Sequence, residues 1–173
     1  GGTTELLRVE PEGHTVRAEV VGGTSDIAAG QLVDRAGVLL GLPFPAGKAL
    51  DALYPEADDT SFFRVKLNDL AFSLSGMENK VRGLLEKGEK PANIARFVID
   101  TIMDVLLRAT REARKRWPGL PVLCSGGVAS NRQIRDAMEK SCGAVFAQPQ
   151  YATDNALGVA ILTHRALERG VRG

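Results

Sequence analysis

The chain has 173 residues, a length that suits one domain with its own hydrophobic core. Its apolar fraction of 44% and its formal net charge of +1 exclude an intrinsically disordered chain and a strongly basic nucleic-acid-binding domain. No apolar run approaches the roughly 20 residues that span a bilayer, and the first residues lack the pattern of a secretory signal, so we expect a soluble, cytoplasmic protein.

The first half of the chain favours a hairpin, three helices and further short strands. Glu12 and Gly13 signal a turn between two strand-like stretches, and Thr24 or Ser25 is placed to cap the first helix. The predicted elements are strands at 1–9 and 15–21, a helix at 26–40 that ends before Gly41 and Pro43, a short helix near Leu50, one or two strands within 62–74, and a helix from Ser75 to Leu85.

A long amphipathic helix dominates the second half. Pro91 suits a first helical turn, and apolar residues recur at steps of four and three from Ile94 to Ala109, which predicts a helix that ends near Trp117. Strands and helices alternate after the hairpin, so we expect an α/β fold with a mixed sheet covered by helices. The other predicted elements are a strand at 121–125, a helix at 131–140 with Ile134 and Met138 on its apolar face, a strand at 144–147, and a last helix capped by Thr153 with Leu157, Ala160 and Ile161 facing inward.

The cysteines and histidines do not have the spacing of a metal site. Cys124 ends an apolar strand pattern and Cys142 precedes a glycine, so we expect both to be reduced structural thiols. His164 is predicted to lie at the edge of the core, and His14 belongs to the hairpin turn. A catalytic scheme that needs paired histidines would have to take them from outside this sequence.

Asp34 lies on the side of the helix at 26–40 that is opposite to its apolar stripe. Gly30, Gly37 and Gly41 lie on the same side, and a glycine inside a helix costs about 1 kcal/mol relative to alanine. The glycines therefore indicate that something comes close to this face. It is either a ligand or the backbone of a neighbouring element.

A second candidate site is the strand, Gly-Gly turn and helix start at 122–131. Gly126 and Gly127 let a ligand approach the backbone, the first helical turn offers free N–H groups to anions or polar ring atoms, and Asn131 adds an amide that both donates and accepts. The spacing matches neither the dinucleotide fingerprint nor the phosphate-binding loop. A purely structural turn remains the alternative.

The third candidate is Asp154, at the start of the last helix. Its carboxylate either ligates a cation or stabilises the helix N-terminus by some tenths of a kcal/mol. Because one carboxylate holds a metal ion only weakly, the metal reading needs further donors from another segment.

Five short segments, distributed over nearly the whole chain, resemble in sequence and in order the C-terminal half of the TsaD family, also labelled glycoprotease-like. Members of that family are similar in fold to actin, sugar kinases and heat-shock ATPases. The matching segments are G-T-S-D-I-A-A-G-Q-L-V-D at 23–34, L-L-G-L-P-F-P-A-G at 39–47, F-S-L-S-G at 72–76, G-G-V-A-S-N at 126–131 and T-D-N-A at 153–156.

The resemblance implies an α/β, actin-like ATPase (ribonuclease H-like) lobe, with residues 1–173 as the single C-terminal lobe of a larger two-lobed protein. The family transfers a threonylcarbamoyl group from an adenylate to a tRNA adenosine. The resemblance therefore implies ATP or threonylcarbamoyl-adenylate and a divalent metal ion (iron, zinc or magnesium) as cofactors. The implied partners are the chain's own N-terminal lobe, a related actin-like subunit and tRNA.

The resemblance also gives positions of this sequence a role. One of them, Asp51, falls on an acidic position that contacts the adenylate. The positions so implied are Asp34, Gly47, Asp51, Gly126, Gly127 and Asn131 for the nucleotide and Asp154 for the metal.

Four positions depart from the family pattern. Thr3 stands at a usual histidine, Gln31 at a usual acid, Ala46 at a usual glycine and Glu78 at a usual lysine. The paired metal histidines of the family belong to the lobe that this sequence does not contain. A non-catalytic actin-like partner subunit therefore stays open as an alternative to the transferase.

A peptidase and a small-molecule kinase have less support. For a glycoprotein peptidase, neither Cys124 nor Ser125 has an identifiable histidine partner in the sequence. A sugar or acetate kinase would leave the family-like Asp34, Asn131 and Asp154 unexplained. We also expect the chain on its own to self-associate through apolar surface.

Overall fold

The computed structural model describes residues 2–13, 15–147 and 156–168. The chain opens with the predicted hairpin, in which strand β1 (Glu5–Glu12) pairs antiparallel with strand β2 (Thr15–Thr24). His14, predicted to lie in the hairpin turn, falls outside the described residues. The hairpin predicted from two strand-like stretches and the turn signal at Glu12 and Gly13 is thus confirmed.

The hairpin belongs to a four-stranded mixed sheet of order β1-β2-β4-β3. Strands β3 (Leu67–Asn68) and β4 (Ala71–Phe72) are antiparallel to each other, and β4 runs parallel to β2. The mixed sheet is confirmed. A second, separate sheet is formed by the parallel strands β5 (Leu123–Cys124) and β6 (Val145–Phe146), which are shorter than predicted.

Six α-helices flank the sheets in the described residues. Helix α4 is the centre of the core, because the apolar residues that recur along it, from Ile94 to Ala109, have no exposed surface. The helices are α1 (Ala29–Leu39), α2 (Gly47–Leu53), α3 (Gly76–Glu86), α4 (Pro91–Arg116), α5 (Arg132–Cys142) and α6 (Ala156–Glu168).

The predicted start of α1 was wrong. The helix begins at Ala29, and its first backbone groups are bound by Thr4 Oγ1, which accepts from the Ala29 N–H at 2.8 Å, and by Gln31 Oε1, which accepts from the Ala28 N–H at 3.0 Å. Asp26 lies before the helix and accepts from the Leu74 N–H at 2.9 Å. A contact distant in sequence therefore replaces the predicted local cap.

The prediction for α6 was wrong in its inward face. Ala160 and Ile161, predicted to face the core, are exposed. The Leu157 side chain and the predicted cap Thr153 lie outside the described residues, as does Asp154. His164 is exposed and pairs with Glu168 one turn along the same helix, so it does not lie at the edge of the core.

No helix among the described residues is long and apolar enough to cross a membrane.

Candidate functional site

Asp34 is tied to the start of α2. Its Oδ1 accepts from the backbone N–H of Ala46 at 2.9 Å. At the next turn of α1, Gly37 is buried against the same residue, and a Cβ added to Gly37 would lie 2.1 Å from the Ala46 Cβ. Of the two readings of the glycine-rich side of α1, close packing of a neighbouring element therefore accounts for Gly37.

Between the two helices the chain reverses direction at Gly41, whose φ of 69° favours glycine. The Leu42 N–H donates to the Gly37 carbonyl at 2.8 Å, which closes the end of α1. The loop then returns to Gly47, the first residue of α2. A Cβ added at Gly47 would meet no atom within 4 Å, so open space adjoins this backbone.

Helix α2 carries Asp51 one turn beyond Gly47 and brings it to the start of α5. Asn131 Nδ2 donates to Asp51 Oδ1 at 3.1 Å, and the Nε of Arg132 lies 3.7 Å from Asp51 Oδ2. The Asp51 side chain keeps only 20% of its surface exposed. Residues 80 positions apart in sequence thus share one polar contact.

The Asn131 side chain also caps the N-terminus of α5. Its Oδ1 accepts from the Ile134 N–H at 3.0 Å, which caps α5. Its amide oxygen and one of its amide hydrogens are therefore held within the protein, and the side chain is fixed rather than free to rotate.

The glycine pair lies in the loop that leads to Asn131. Gly126 has a φ of 103°, and Gly127 precedes a single 3-10 turn over Val128–Ser130. A Cβ at either glycine would meet no atom within 4 Å. This loop presents bare backbone to open space beside the Asp51–Asn131 contact, as nucleotide-binding loops do.

The structure thus links the predicted nucleotide-binding residues through α2. Asp34 holds the start of the helix, Asp51 projects from its next turn, and Asn131 joins it to the glycine loop. The sequence did not predict the involvement of Arg132 or the direct Asp51–Asn131 bond. The only feature of the sequence that could have indicated a role for Arg132 is its position next to Asn131, a predicted site residue.

A groove of about 340 Å³ adjoins Asp34 between α1 and α3. Glu78, which stands at a usual lysine, lines it and is bound by Arg35 at 2.9 Å and by Arg82 at 3.3 Å. The reversed charge at Glu78 is therefore neutralised locally. The exposed ring of Phe44 forms another wall.

Two observations bear on metal binding and on peptidase chemistry. Among the described residues, no group of three or more histidine, cysteine, aspartate or glutamate side chains is placed to hold a metal ion. Burial, and then the neighbouring Cys142, raises the pKa of the Cys124 thiol. An activated nucleophilic cysteine requires the opposite shift, so the peptidase reading gains no support.

Comparison with known proteins decides the family. The model of TsaD, described as tRNA N6-adenosine threonylcarbamoyltransferase, matches residues 1–161. The chain belongs to the TsaD family. Proteins of that name from Bacillus subtilis (strain 168) and Enterococcus faecalis (strain ATCC 700802 / V583) are 35% and 37% identical to it, over 100% and 80% of the chain respectively. The alignments cover 54% and 41% of those two relatives, so the chain spans about half the length of the curated relatives that it matches.

Solved structures agree on the fold. HypF of T. kodakarensis superposes with a TM-score of 0.62 at 19% identity, over 84% of this chain and 21% of HypF. Component A of (R)-2-hydroxyglutaryl-CoA dehydratase from Acidaminococcus fermentans superposes with a TM-score of 0.54 at 22% identity, over 88% of this chain and 54% of that protein. The family member described here therefore has the actin-like ATPase α/β fold.

Proposed function

We propose that residues 1–173 form the C-terminal, nucleotide-binding lobe of a protein that transfers threonylcarbamoyl from an adenylate to a tRNA adenosine in the cytoplasm. The observation that carries the proposal is the Asp51–Asn131 hydrogen bond of 3.1 Å beside the open backbone of Gly126 and Gly127. It joins the family-like segment at 126–131 to Asp51, a position far away in sequence that the family resemblance also assigns to the adenylate.

Each residue has a role that its chemistry suits. The carboxylates of Asp34 and Asp51 accept hydrogen bonds from hydroxyl donors, as the ribose of an adenylate offers. Gly47, Gly126 and Gly127 leave room for the nucleotide to approach the backbone. Asn131 is held in one orientation by Ile134 and Asp51, so little side-chain entropy is lost when the ligand binds.

The acyl transfer itself needs groups from outside the described residues. In our proposal the N-terminal lobe supplies most of the metal ligands, and Asp154 adds one carboxylate to them. The metal ion would polarise the acyl carbonyl. This chain's own contribution is to hold and orient the nucleotide that leaves.

Calorimetric titration of ATP with magnesium into the chain tests the proposal. Asp51→Asn replaces a charged acceptor by a neutral amide, and Asn131→Ala removes a polar group from the binding surface. Each should raise the Kd about tenfold or more. Asp136→Asn is the matched control, since Asp136 is exposed on α5 and forms no hydrogen bond with Asp51 or Asn131, and its Kd should not change. No binding by the unaltered chain, or equal Kd values for all four proteins, would overturn the proposal.

A second candidate, a non-catalytic actin-like partner subunit, is favoured by exposed apolar surface on the hairpin. Cross-strand neighbours point to the same side of a sheet, and here one side is apolar throughout. On the other side, Leu6 packs against the core and Arg8 lies over the Trp117 ring. We name the apolar side the apolar hairpin face; its pairs are Leu7 with Val20, Val9 with Ala18 and Pro11 with Val16.

In this second candidate function, the apolar hairpin face is part of the surface by which the chain binds its N-terminal lobe and a related actin-like subunit. Nucleotide binding separates the two candidates, because a partner subunit needs none. A chain that fails the titration yet forms a stable complex with such a subunit would favour the second candidate.

A further inference from the structure

An extended segment runs along α4 after the turn at Tyr54–Glu56 and is fixed by side chains of that helix. The buried Asn93 Oδ1 accepts from the Asp58 and Asp59 N–H groups at 3.0 and 3.1 Å. Further along, Thr101 Oγ1 accepts from the Phe63 N–H at 3.0 Å, and Arg108 donates to the Val65 carbonyl at 2.6 Å. The backbone of residues 60–66 is therefore held in place although it forms no helix or strand.

The outer side of this segment combines aromatic rings with cations. Phe62 and Phe63 keep 45% and 39% of their surface exposed, and Arg64 and Lys66 are exposed beside them. From α3, the Lys80 Nζ lies 4.0 Å from the centre of the Phe63 ring. We name these five residues the aromatic-basic segment.

The cations of the aromatic-basic segment have no acidic partner within the described part of the chain. No carboxylate there lies within 4.0 Å of the charged nitrogens of Arg64, Lys66 or Lys80. Along α4, Asp100 pairs with Arg96 and Asp104 with Arg108. At the start of the extended segment, the Asp59 carboxylate accepts hydrogen bonds from Ser61. The five residues of the aromatic-basic segment thus carry three positive charges and no negative one, in a chain whose net charge is only +1.

A groove of about 250 Å³ lies between the segment and α4. Its volume is below the roughly 300–1,000 Å³ of pockets for drug-sized ligands, which suits one ring system rather than a whole nucleotide. Asp104 Oδ2 accepts both bonds from Arg108, which leaves the other carboxylate oxygen for a ligand. The lining residues are Thr60, Phe62, Asp100, Met103, Asp104 and Leu107.

We propose that the aromatic-basic segment and this groove bind an unpaired stretch of RNA. One base stacks on Phe62 over the apolar floor of Met103 and Leu107, and its ring N–H or amino edge donates to Asp104. The backbone phosphates lie along Arg64, Lys66 and Lys80. Unpaired cations interleaved with exposed aromatic rings are the means by which proteins bind single strands, because every base offers a face for stacking.

The surface is connected to the candidate nucleotide site through Tyr54, which follows α2 directly. The Tyr54 hydroxyl donates to Asp100 Oδ1 at 2.7 Å, and burial together with that bond raises the pKa of Tyr54 to about 12, so it stays a donor at neutral pH. Asp51, on the preceding turn, belongs to the nucleotide site. The inference rests on the proposed function in one respect, that the acceptor is an RNA.

The test is fluorescence anisotropy of a labelled, unstructured RNA 12-mer with the chain, measured as a function of salt. Phe62→Ala should raise the Kd about five- to 150-fold, the range for loss of one base stack. The double variant Arg64→Glu with Lys66→Glu should reduce the slope of log K against log salt by about 1.4, which corresponds to two lost phosphate contacts on a single strand. Leu120→Ala and Arg17→Glu, exposed residues elsewhere, are the matched controls and should change neither quantity.

The outcomes separate this inference from the proposed function. RNA binding that is weakened by Phe62→Ala, in a variant whose thermal unfolding is unaltered, supports the surface. This holds whether or not the chain binds ATP. Equal RNA binding by the wild-type chain and its variants overturns the surface and leaves the nucleotide site untouched. An absence of RNA binding overturns it as well. So does tighter binding of a labelled acidic peptide than of the RNA, with a peptide Kd that Phe62→Ala leaves unchanged.

Discussion

At the scale of single residues, Asn131 combines two contacts that can be separated. Asn131→Ala removes both the cap on Ile134 and the bond to Asp51, and we expect a loss of about 1–2 kcal/mol in the free energy of unfolding. Asn131→Ser keeps a capping oxygen and should recover most of that loss, yet its shorter side chain does not reach Asp51. Urea unfolding measures the stability, and equal loss in the two variants would contradict the capping role.

Asp26 is the residue whose charge matters most for the loop before α3. Partial burial raises its pKa, but hydrogen bonds from Ser73, Leu74 and Ser75 outweigh this and hold the pKa well below the ordinary value of 3.8. A carboxylate with a lowered pKa stabilises the folded state fully above the unfolded pKa, and this stabilisation is lost as the pH falls through the lower, folded value.

We therefore predict that Asp26→Asn destabilises the chain by about 1–2 kcal/mol at neutral pH, since the new amide group faces the donors of Ser73 and Ser75. Below pH 3.8 the difference between the two proteins should shrink. Thermal unfolding between about pH 2 and pH 7 measures it, with Asp136→Asn as an exposed control. A difference that stays constant across that whole range would contradict the role of the charge.

At the scale of elements, the contact of α1 with α2 depends on a glycine. In Gly37→Ala the new Cβ would lie 2.1 Å from the Ala46 Cβ, and neither backbone can yield without moving a helix. We expect a loss of about 1–3 kcal/mol, the usual cost of overpacking. Gly47→Ala is the matched control: no atom lies within 4 Å, so stability should stay the same or rise by up to about 1 kcal/mol.

The Gly47→Ala variant also separates the effect of helix packing on stability from the effect of backbone access on ligand binding. Gly47→Ala should weaken ATP binding without loss of stability if a nucleotide approaches this backbone. Denaturant unfolding of this variant measures its stability, and calorimetry measures its Kd for ATP. Unchanged binding by Gly47→Ala would show that no ligand comes close to this residue.

Local sequence patterns predicted the elements that are buried against the core along their whole length. Helix α4 followed from its apolar period, because it is buried on a wide stripe along its length. The start of α1 did not follow, since Asp26 is bound by the loop at residues 73–75 rather than by its own helix. The inward face of α6 was wrong because periodicity gives an apolar side but not a surface to cover it.

The site was predictable only in part for the same reason. The family-like motifs contained Asp34 and Asn131, the resemblance implied Asp51 as a further position, and the glycine loop was visible as a pattern. The bond between Asp51 and Asn131 spans 80 positions. It depends on the packing of both α2 and α5 against α4, which no local pattern specifies. Asp154 stays a prediction, since it lies outside the described residues.

At the scale of the whole molecule, the apolar hairpin face predicts self-association of the chain when it is alone. Exposed apolar patches of this kind mark surfaces that are covered in an assembly. Light scattering should show a mass that rises with concentration, and the double variant Val9→Lys with Val20→Lys should abolish the rise. Leu123→Lys, exposed on β5, is the control and should not. A strictly monomeric wild-type chain at high concentration would contradict the prediction.

Helix α2 and the loop before α5 are proposed to bind an adenylate together, and the function assigned to the chain depends on this. Amide chemical shifts of the isotopically labelled chain, followed during titration with ATP and magnesium, report on each of these residues separately. We predict saturable shifts at Gly47, Gly126, Gly127 and Asn131, with the same Kd for all four and no comparable shifts on the apolar hairpin face. Shifts confined to other residues, or none at all, would contradict the proposed nucleotide site.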